Sequence, residues 1–227
     1  MAVSAVLSNH YKYKLEKKDL NLSTDSIKIL LMRDDFIFNE DNYAVFVNLR
    51  TTSGIIANIT FDDTGPATIV RALGNFITNG FVVGNKITTN SANAANQGPF
   101  LVSGVIAGTL TITTMAGALP ALTDGAEVNV TVLSDDEHAT VGGYVQNTKV
   151  LTGQVVSEND VDNCAYMTCA NVTWTGAGPG FGPSPGALLF DDTVADKTII
   201  GYLDFDGDQT IPAADDLVLA GIRIKVA

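Results

Sequence analysis

Apolar residues in this chain come in short, β-branched runs rather than long helical stripes. STDSIKILLM reads as a polar turn feeding a strand, and ANITF, ATIVRAL, GFVVGNKITTN, PFLVSGVIAGTLTITTM and AEVNVTVL follow from Ala57 to Leu133. The turn clusters FDDTGP, ITNG, NSANAANQGP and ALPALTDG separate these runs. Strands this short, broken each time by Gly, Asn or Pro, predict a small β-barrel or β-sandwich. Further on, GYVQNTKVLTGQVV, YMTCANVTWTG, GALLFDD, KTIIGYLDF and LVLAGIRIKVA again read as strands. HYKYKLEKKDLNL predicts a short helix or a lead-in arm. In FNEDNYAVFVNL, turn chemistry at Asn39 to Asn42 precedes apolar residues whose periodicity fits either a strand or a short helix. The expected class is all-β, and without an internal repeat at a fixed period a solenoid or propeller is not expected.

Composition adds a boundary. The chain has 227 residues, 46% of them apolar and only 17% charged, enough for one large domain or two small ones. From Ala57 to Leu133 the charged residues are Asp62, Asp63, Arg71, Lys86, Asp124 and Glu127, and charge density returns at SDDEHATVGGYVQ. This change predicts a base β domain of residues 1–56 and 134–227, interrupted by a β-barrel or sandwich module at 57–133. A net charge of −12 argues against nucleic acid as a partner, because phosphate binding needs a basic patch. No stretch approaches the roughly 18–20 apolar residues of a membrane helix, so no membrane partner is expected. MAVSAVLSN lacks the charged start and apolar length of a secretory signal.

Lys12, Lys14, Lys17 and Lys18 form the only cationic cluster. It reads as the solvated face of a short helix, with contact to an acidic neighbour as its functional alternative. Cys164 and Cys169 stand an odd number of positions apart, so an extended strand points them to opposite faces and no bond between them is expected. Two cysteines without a nearby His make no zinc site. They are expected to be buried thiols in a reducing compartment.

Two motifs bear on chemistry. In LDFDGDQTIPAADD, Asp204, Asp206, Asp208 and Asp215 occupy positions 1, 3, 5 and 12 of a calcium loop, with Thr210 at 7. Gln209 stands where the turn wants glycine, and the flanks KTIIGYLDF and LVLAGIRIKV are strand-like, so a hairpin with an acidic tip is the expected structure. Gly182-Pro183-Ser184-Pro185-Gly186 matches the G-x-S-x-G elbow of serine hydrolases. Pro185 has no N–H to give an oxyanion hole, and both prolines favour an extended connector. His10 and His138, the candidate bases, lack catalytic context. No glycine-rich stretch completes a phosphate-binding loop. The adjacent pairs Asp34–Asp35, Asp62–Asp63, Asp135–Asp136, Asp191–Asp192 and Asp215–Asp216 do not identify an acid–base couple. Asn21, Asn58, Asn129 and Asn171 head glycosylation sequons relevant only to a secreted eukaryotic protein. Trp174, in the alternating VTWT, is expected in the core. No catalytic, cofactor-binding or metal-binding residue is expected, and the chain is expected not to be an enzyme.

The segments GYVQNTKVLTGQVVSENDVDN and ANVTWTGAGPGFGPSPGALLFDDTVADKTIIGYLDF, with the N-terminal SNHYKYKLEKKDLNLSTDSIKILLM, resemble a family of tailed-bacteriophage virion proteins. The shared features are the Val-Thr-Trp-Thr strand, the GPSPGA stretch, FDDT at Phe190 to Thr193 and IGYLDF at Ile200 to Phe205. The resemblance implies a non-enzymatic virion component: a head decoration or head fibre, or a tail- or connector-associated protein. Its implied partners are capsid, tail or connector proteins and further copies of itself as a homo-oligomer. It also implies that 57–133 is inserted, since the segments around Asn48 and Ala139 lie close in sequence in such proteins. The alternative function is a carbohydrate or cell-surface binding module, with calcium assisting.

Overall fold

The computed structural model describes residues 4–161 and 164–226. In chain order they form β1 (Ser4–Leu7), α1 (Asn9–Glu16) and β2 (Ile27–Leu31). Next come β3 (Arg50–Ile56), β4 (Ile59–Asp62), β5 (Thr68–Arg71), α2 (Phe76–Asn79), β6 (Lys86–Thr89), β7 (Phe100–Ile106), β8 (Thr109–Thr113), β9 (Gly125–Glu127) and β10 (Val130–Asp135). The chain continues through β11 (Val155–Asn159), β12 (Cys164–Thr168), β13 (Val172–Thr175), β14 (Phe181–Asp191), β15 (Ile199–Ile211), β16 (Asp216–Leu219) and β17 (Arg223–Val226). The fold is all-β with antiparallel sheets. It divides into two compact units, Val47–Asp136 and Met1–Phe46 with Glu137–Ala227.

The Val47–Asp136 unit is one eight-stranded sheet in the order β3-β10-β6-β7-β8-β5-β4-β9. Its strands alternate buried and exposed positions, as in β8, where Leu110 and Ile112 point inward. Ile56 of β3 and Ile59 and Phe61 of β4 share one core with Ile87, Val102 and Val132 from the middle of the sheet. A sheet whose end and central strands fill the same core must curl around it, so the unit is barrel-like. Its first and last strands are tied by Asp136 N–H donating to Leu49 C=O at 2.9 Å. The Asp136 carboxylate accepts from Asn85 Nδ2 at 2.7 Å and from Lys86 N–H at 3.0 Å. Adjacent chain ends are the geometry that lets a module sit within another sequence.

In the other unit, the sheet β1-β15-β14-β2 is buried on both faces at its centre, which is why GALLFD and IIGYLDF read as continuous apolar runs rather than alternating ones. One face places Ile29, Leu31, Leu189, Leu203 and Phe205 in a core with Trp174, Met167, Leu217, Leu219 and Ile224. These last residues come from the sheet β11-β12-β17 and the pair β13-β16. The other face carries Phe190 and Tyr202 under aromatic rings from the segment after β2. Phe46 lies 4.7 Å from Phe190, and Phe36 and Phe38 lie 5.6 and 5.7 Å from Tyr202.

Three local expectations are corrected. The acidic stretch is not a hairpin tip. β15 runs through it to Ile211 and pairs with β14, while the next strand, β16, pairs with β13. GPSPG is not a connector but the first half of β14. Prolines remove ladder donors, and β14 accommodates them where its register against β15 shifts around Ser184. Asp206 (φ 54°) and Gly207 (φ 126°) absorb the irregularity on the opposite strand. Glycine is required at 182, where a Cβ would come within 2.5 Å of Gln209 C=O. The cysteines, finally, are free but half-buried rather than buried.

Candidate interaction surface

The two edges of the β1-β15-β14-β2 sheet differ. Along β2 four outward backbone groups are taken. Leu31 N–H donates to the Tyr144 hydroxyl at 3.0 Å, and Ile29 N–H to Lys149 C=O at 3.0 Å. His138 and Leu151 N–H donate to the carbonyls of Leu31 and Ile27, both at 2.8 Å. Tyr144 is in turn fixed by donating its hydroxyl to Glu137 Oε1 at 2.7 Å, an oxygen that also accepts from Asn147 N–H at 2.6 Å.

β1 forms the other edge. Its register against β15 pairs Val6 with Tyr202 and Leu7 with Gly201, and Ser8 N–H donates to Ile200 C=O at 3.0 Å. Narrow hydrogen-bonded pairs alternate along an antiparallel ladder. Ser8 and Val6 therefore turn their backbone groups toward β15, and Ala5 and Leu7 turn theirs away from it. Among the described residues no partner meets the outward groups of Ala5 and Leu7. A cleft lies on each side of this edge. One, of about 430 Å³, has apolar walls from Leu7, Tyr11, Tyr13 and Leu15 and carries Lys12, Glu16 and Lys225. The other, of about 260 Å³, is lined by Val6, Ile37, Phe38 and Tyr202 with Asp204 at its rim.

The lysine cluster is more engaged than a solvated face. Lys14 Nζ lies 3.0 Å from Asp196 and 3.8 Å from Asp19. Hydrogen bonding to Asp196 raises its pKa. Lys12 lies 3.4 Å from Glu40, and Lys17 sits 4.7 Å above the Tyr13 ring, its pKa raised by hydrogen bonding to that tyrosine. Lys12 and Lys14 hold α1 to its surroundings, and Lys17 packs back on the helix's own Tyr13.

Asp204, Asp206 and Asp208 are exposed on β15, which runs on past them to Ile211. A calcium loop instead curls its ligands about one point. Among the described residues no group of three or more His, Cys, Asp or Glu is placed to hold a metal ion. Ser184 is buried within a strand, not at a strand-to-helix turn, and its hydroxyl donates to Gly186 C=O at 3.0 Å. His138 is near it in space, with Nε2 accepting from Gly182 N–H at 3.0 Å and Nδ1 2.9 Å from Ala139 C=O. Both side chains fasten the start of β14. Trp174 is in the core, as its alternating strand predicts.

Sequence reading missed one polar centre. Asp191 is fully buried, its Oδ1 accepting from Thr193 N–H at 2.8 Å. Burial first, and then a hydrogen bond to Asp25, push its carboxyl up to about 6. The adjacent Asp192 points the other way, 3.0 Å from Lys28 and 2.8 Å from Lys197. Burial opposes its ionisation, but the two lysines hold its pKa below the ordinary value. The signal was the FDDT sequence, where neighbouring acids in a strand must face opposite sides.

No family model matches the chain, and no curated protein and no solved structure matches it either.

Proposed function

We propose that the chain is a structural component of a tailed-bacteriophage virion that acts through protein–protein assembly. Its place on the particle is a head decoration or head fibre, or a tail- or connector-associated position. The observation that carries this reading is the use the fold makes of the residues that resemble phage virion proteins. Trp174 of VTWT, Phe181, Ala187 and Leu189 of the GFGPSPGALL stretch, and Leu203 and Phe205 of IGYLDF all pack into one core. Ser184 and Asp191 are consumed by internal hydrogen bonds. The resemblance is thus written in scaffold positions rather than in groups converging on a substrate. That is the pattern of a protein whose product is a shape presented to neighbours.

The test is mass spectrometry of purified particles of the source phage, followed by cryo-electron microscopy to place the density. Density repeated over the shell supports decoration or a head fibre, and density at the portal vertex or tail supports the connector-associated role. Particles lacking every peptide of this chain overturn the reading.

A further inference from the structure

We propose that the β1 edge pairs with the β1 edge of a second copy of this chain, joining two four-stranded sheets into one across a two-fold axis. The inference deepens the assembly reading and rests on it for its biological setting. Its geometry comes from the phase of the β1 ladder.

Ala5 and Leu7 carry the outward N–H and C=O groups of β1, and Val6 turns its own inward to β15. An antiparallel contact centred on Val6 puts Ala5 opposite Leu7 of the second copy, and Leu7 opposite its Ala5. Each of these is a narrow pair exchanging two N–H···O bonds, so the contact satisfies the outward groups of both strands. A slip of one residue sets outward groups against inward-turned ones and forms none of these bonds. The edge is therefore complementary to itself, which a two-fold interface requires.

The flanking side chains agree. Val6 is 43% exposed and Ile37 79% exposed, and both line the Asp204 cleft. Pairing sets each Val6 against its mate and covers apolar surface. Charge also favours this site. At −12 per chain, two copies repel over most of their surface. Beside β1 the cations Lys12 and Lys225 stand among Glu16, Glu40 and Asp204, a lower local charge than the chain's average that lessens that repulsion.

The test uses the full chain with Cys164 and Cys169 changed to serine. In the inferred register the two Val6 residues form a non-hydrogen-bonded pair with Cα atoms about 4.5 Å apart, within reach of a disulfide. Val6→Cys is expected to give a covalent dimer on mild oxidation, and light scattering is expected to find a dimer without it. Ala5→Pro deletes an outward donor and leaves the β15 pairing intact, so it is expected to weaken the dimer at least ~10-fold. A cooperative thermal transition in each variant establishes that it folds, and Val6→Lys is a second edge-blocking variant. A chain that stays monomeric at about 100 µM, with Val6→Cys unlinked, overturns the pairing, as does a dimer indifferent to Ala5→Pro. If Ala5→Pro abolishes incorporation of a monomeric chain into particles, the edge belongs to a different virion protein and the second copy is excluded. A dimer whose chain is absent from particles leaves the pairing intact and sinks the virion reading alone.

Discussion

Two tyrosines in the same core make opposite predictions for the same chemical change. Tyr11 anchors α1 in that core, fully buried, and among the described residues its hydroxyl has no hydrogen-bond partner. Burial pushes its phenol pKa up. A buried hydroxyl left unsatisfied costs about 1–3 kcal/mol, so Tyr11→Phe is expected to stabilise this unit, by about 1–2 kcal/mol after the lost packing of one oxygen. Tyr144 is equally buried, but its hydroxyl donates to Glu137 and accepts Leu31 N–H. Tyr144→Phe removes one of the two donors to Glu137 Oε1, leaving Asn147 N–H, and strands the buried Leu31 amide. A hydrogen bond to a charged group contributes about 1.5–3 kcal/mol, and an unsatisfied buried amide costs about 1–3 kcal/mol. A loss of about 2–4 kcal/mol is expected. Trp174, the sole tryptophan, shares the core of both tyrosines, so thermal unfolding followed by its fluorescence reads this unit. At roughly 2–4 °C per kcal/mol for a domain of this size, Tyr11→Phe raises the midpoint by about 2–8 °C and Tyr144→Phe lowers it. If both variants lose stability equally, the Tyr11 hydroxyl has a partner in solution and the reasoning fails.

Asp191 gives a pH prediction. Its folded pKa of about 6 lies above the ordinary 3.8, so in that window the folded chain holds a proton the unfolded chain has released. Its contribution to stability is therefore greatest at low pH and falls as pH rises through the window; urea midpoints of wild type minus Asp191→Asn should decline across it, and a flat difference refutes the shift. Gly142 and Gly178 share left-handed φ values of 57° and 55°, yet a Cβ at 142 would stand 1.6 Å from Gly180 C=O and one at 178 meets nothing within 4 Å. Gly178→Ala should therefore cost about 1–2 kcal/mol, while Gly142→Ala should cost several times more or prevent folding, and equal midpoints contradict the close approach. Millimolar calcium should leave the thermal midpoint unmoved, since the β15 aspartates do not converge; a rise abolished by Asp206→Ala would reverse that and favour the calcium-assisted binding module.

The all-β class was legible because β-branched runs and their Gly, Asn and Pro breaks are local facts. What failed were inferences about which run pairs with which. KTIIGYLDF and LVLAGIRIKV are neighbours along the chain, and a hairpin is the default for neighbours. The structure sends them to different sheets because the proline-bearing β14 is the better partner for β15, its irregular register matching the Asp206–Gly207 kink. The Val47–Asp136 unit begins before the expected start at residue 57 for a similar reason. β3 fills two of its inward positions with Thr51 and Ser53. Ser53 Oγ accepts Val132 N–H at 2.9 Å and Thr51 donates to Asn79 C=O, so a core strand is spelled in polar letters. The interaction edge was the hardest to see. Ala5, Val6 and Leu7 are unremarkable apolar residues, and only pairing to β15 nearly two hundred positions away fixes which of them faces outward. The sealing of the opposite edge likewise depends on Tyr144 reaching Leu31 across 113 positions. A sheet edge is exposed or closed by what the rest of the chain leaves unpaired, so its chemistry emerges only once every other backbone group has been accounted for.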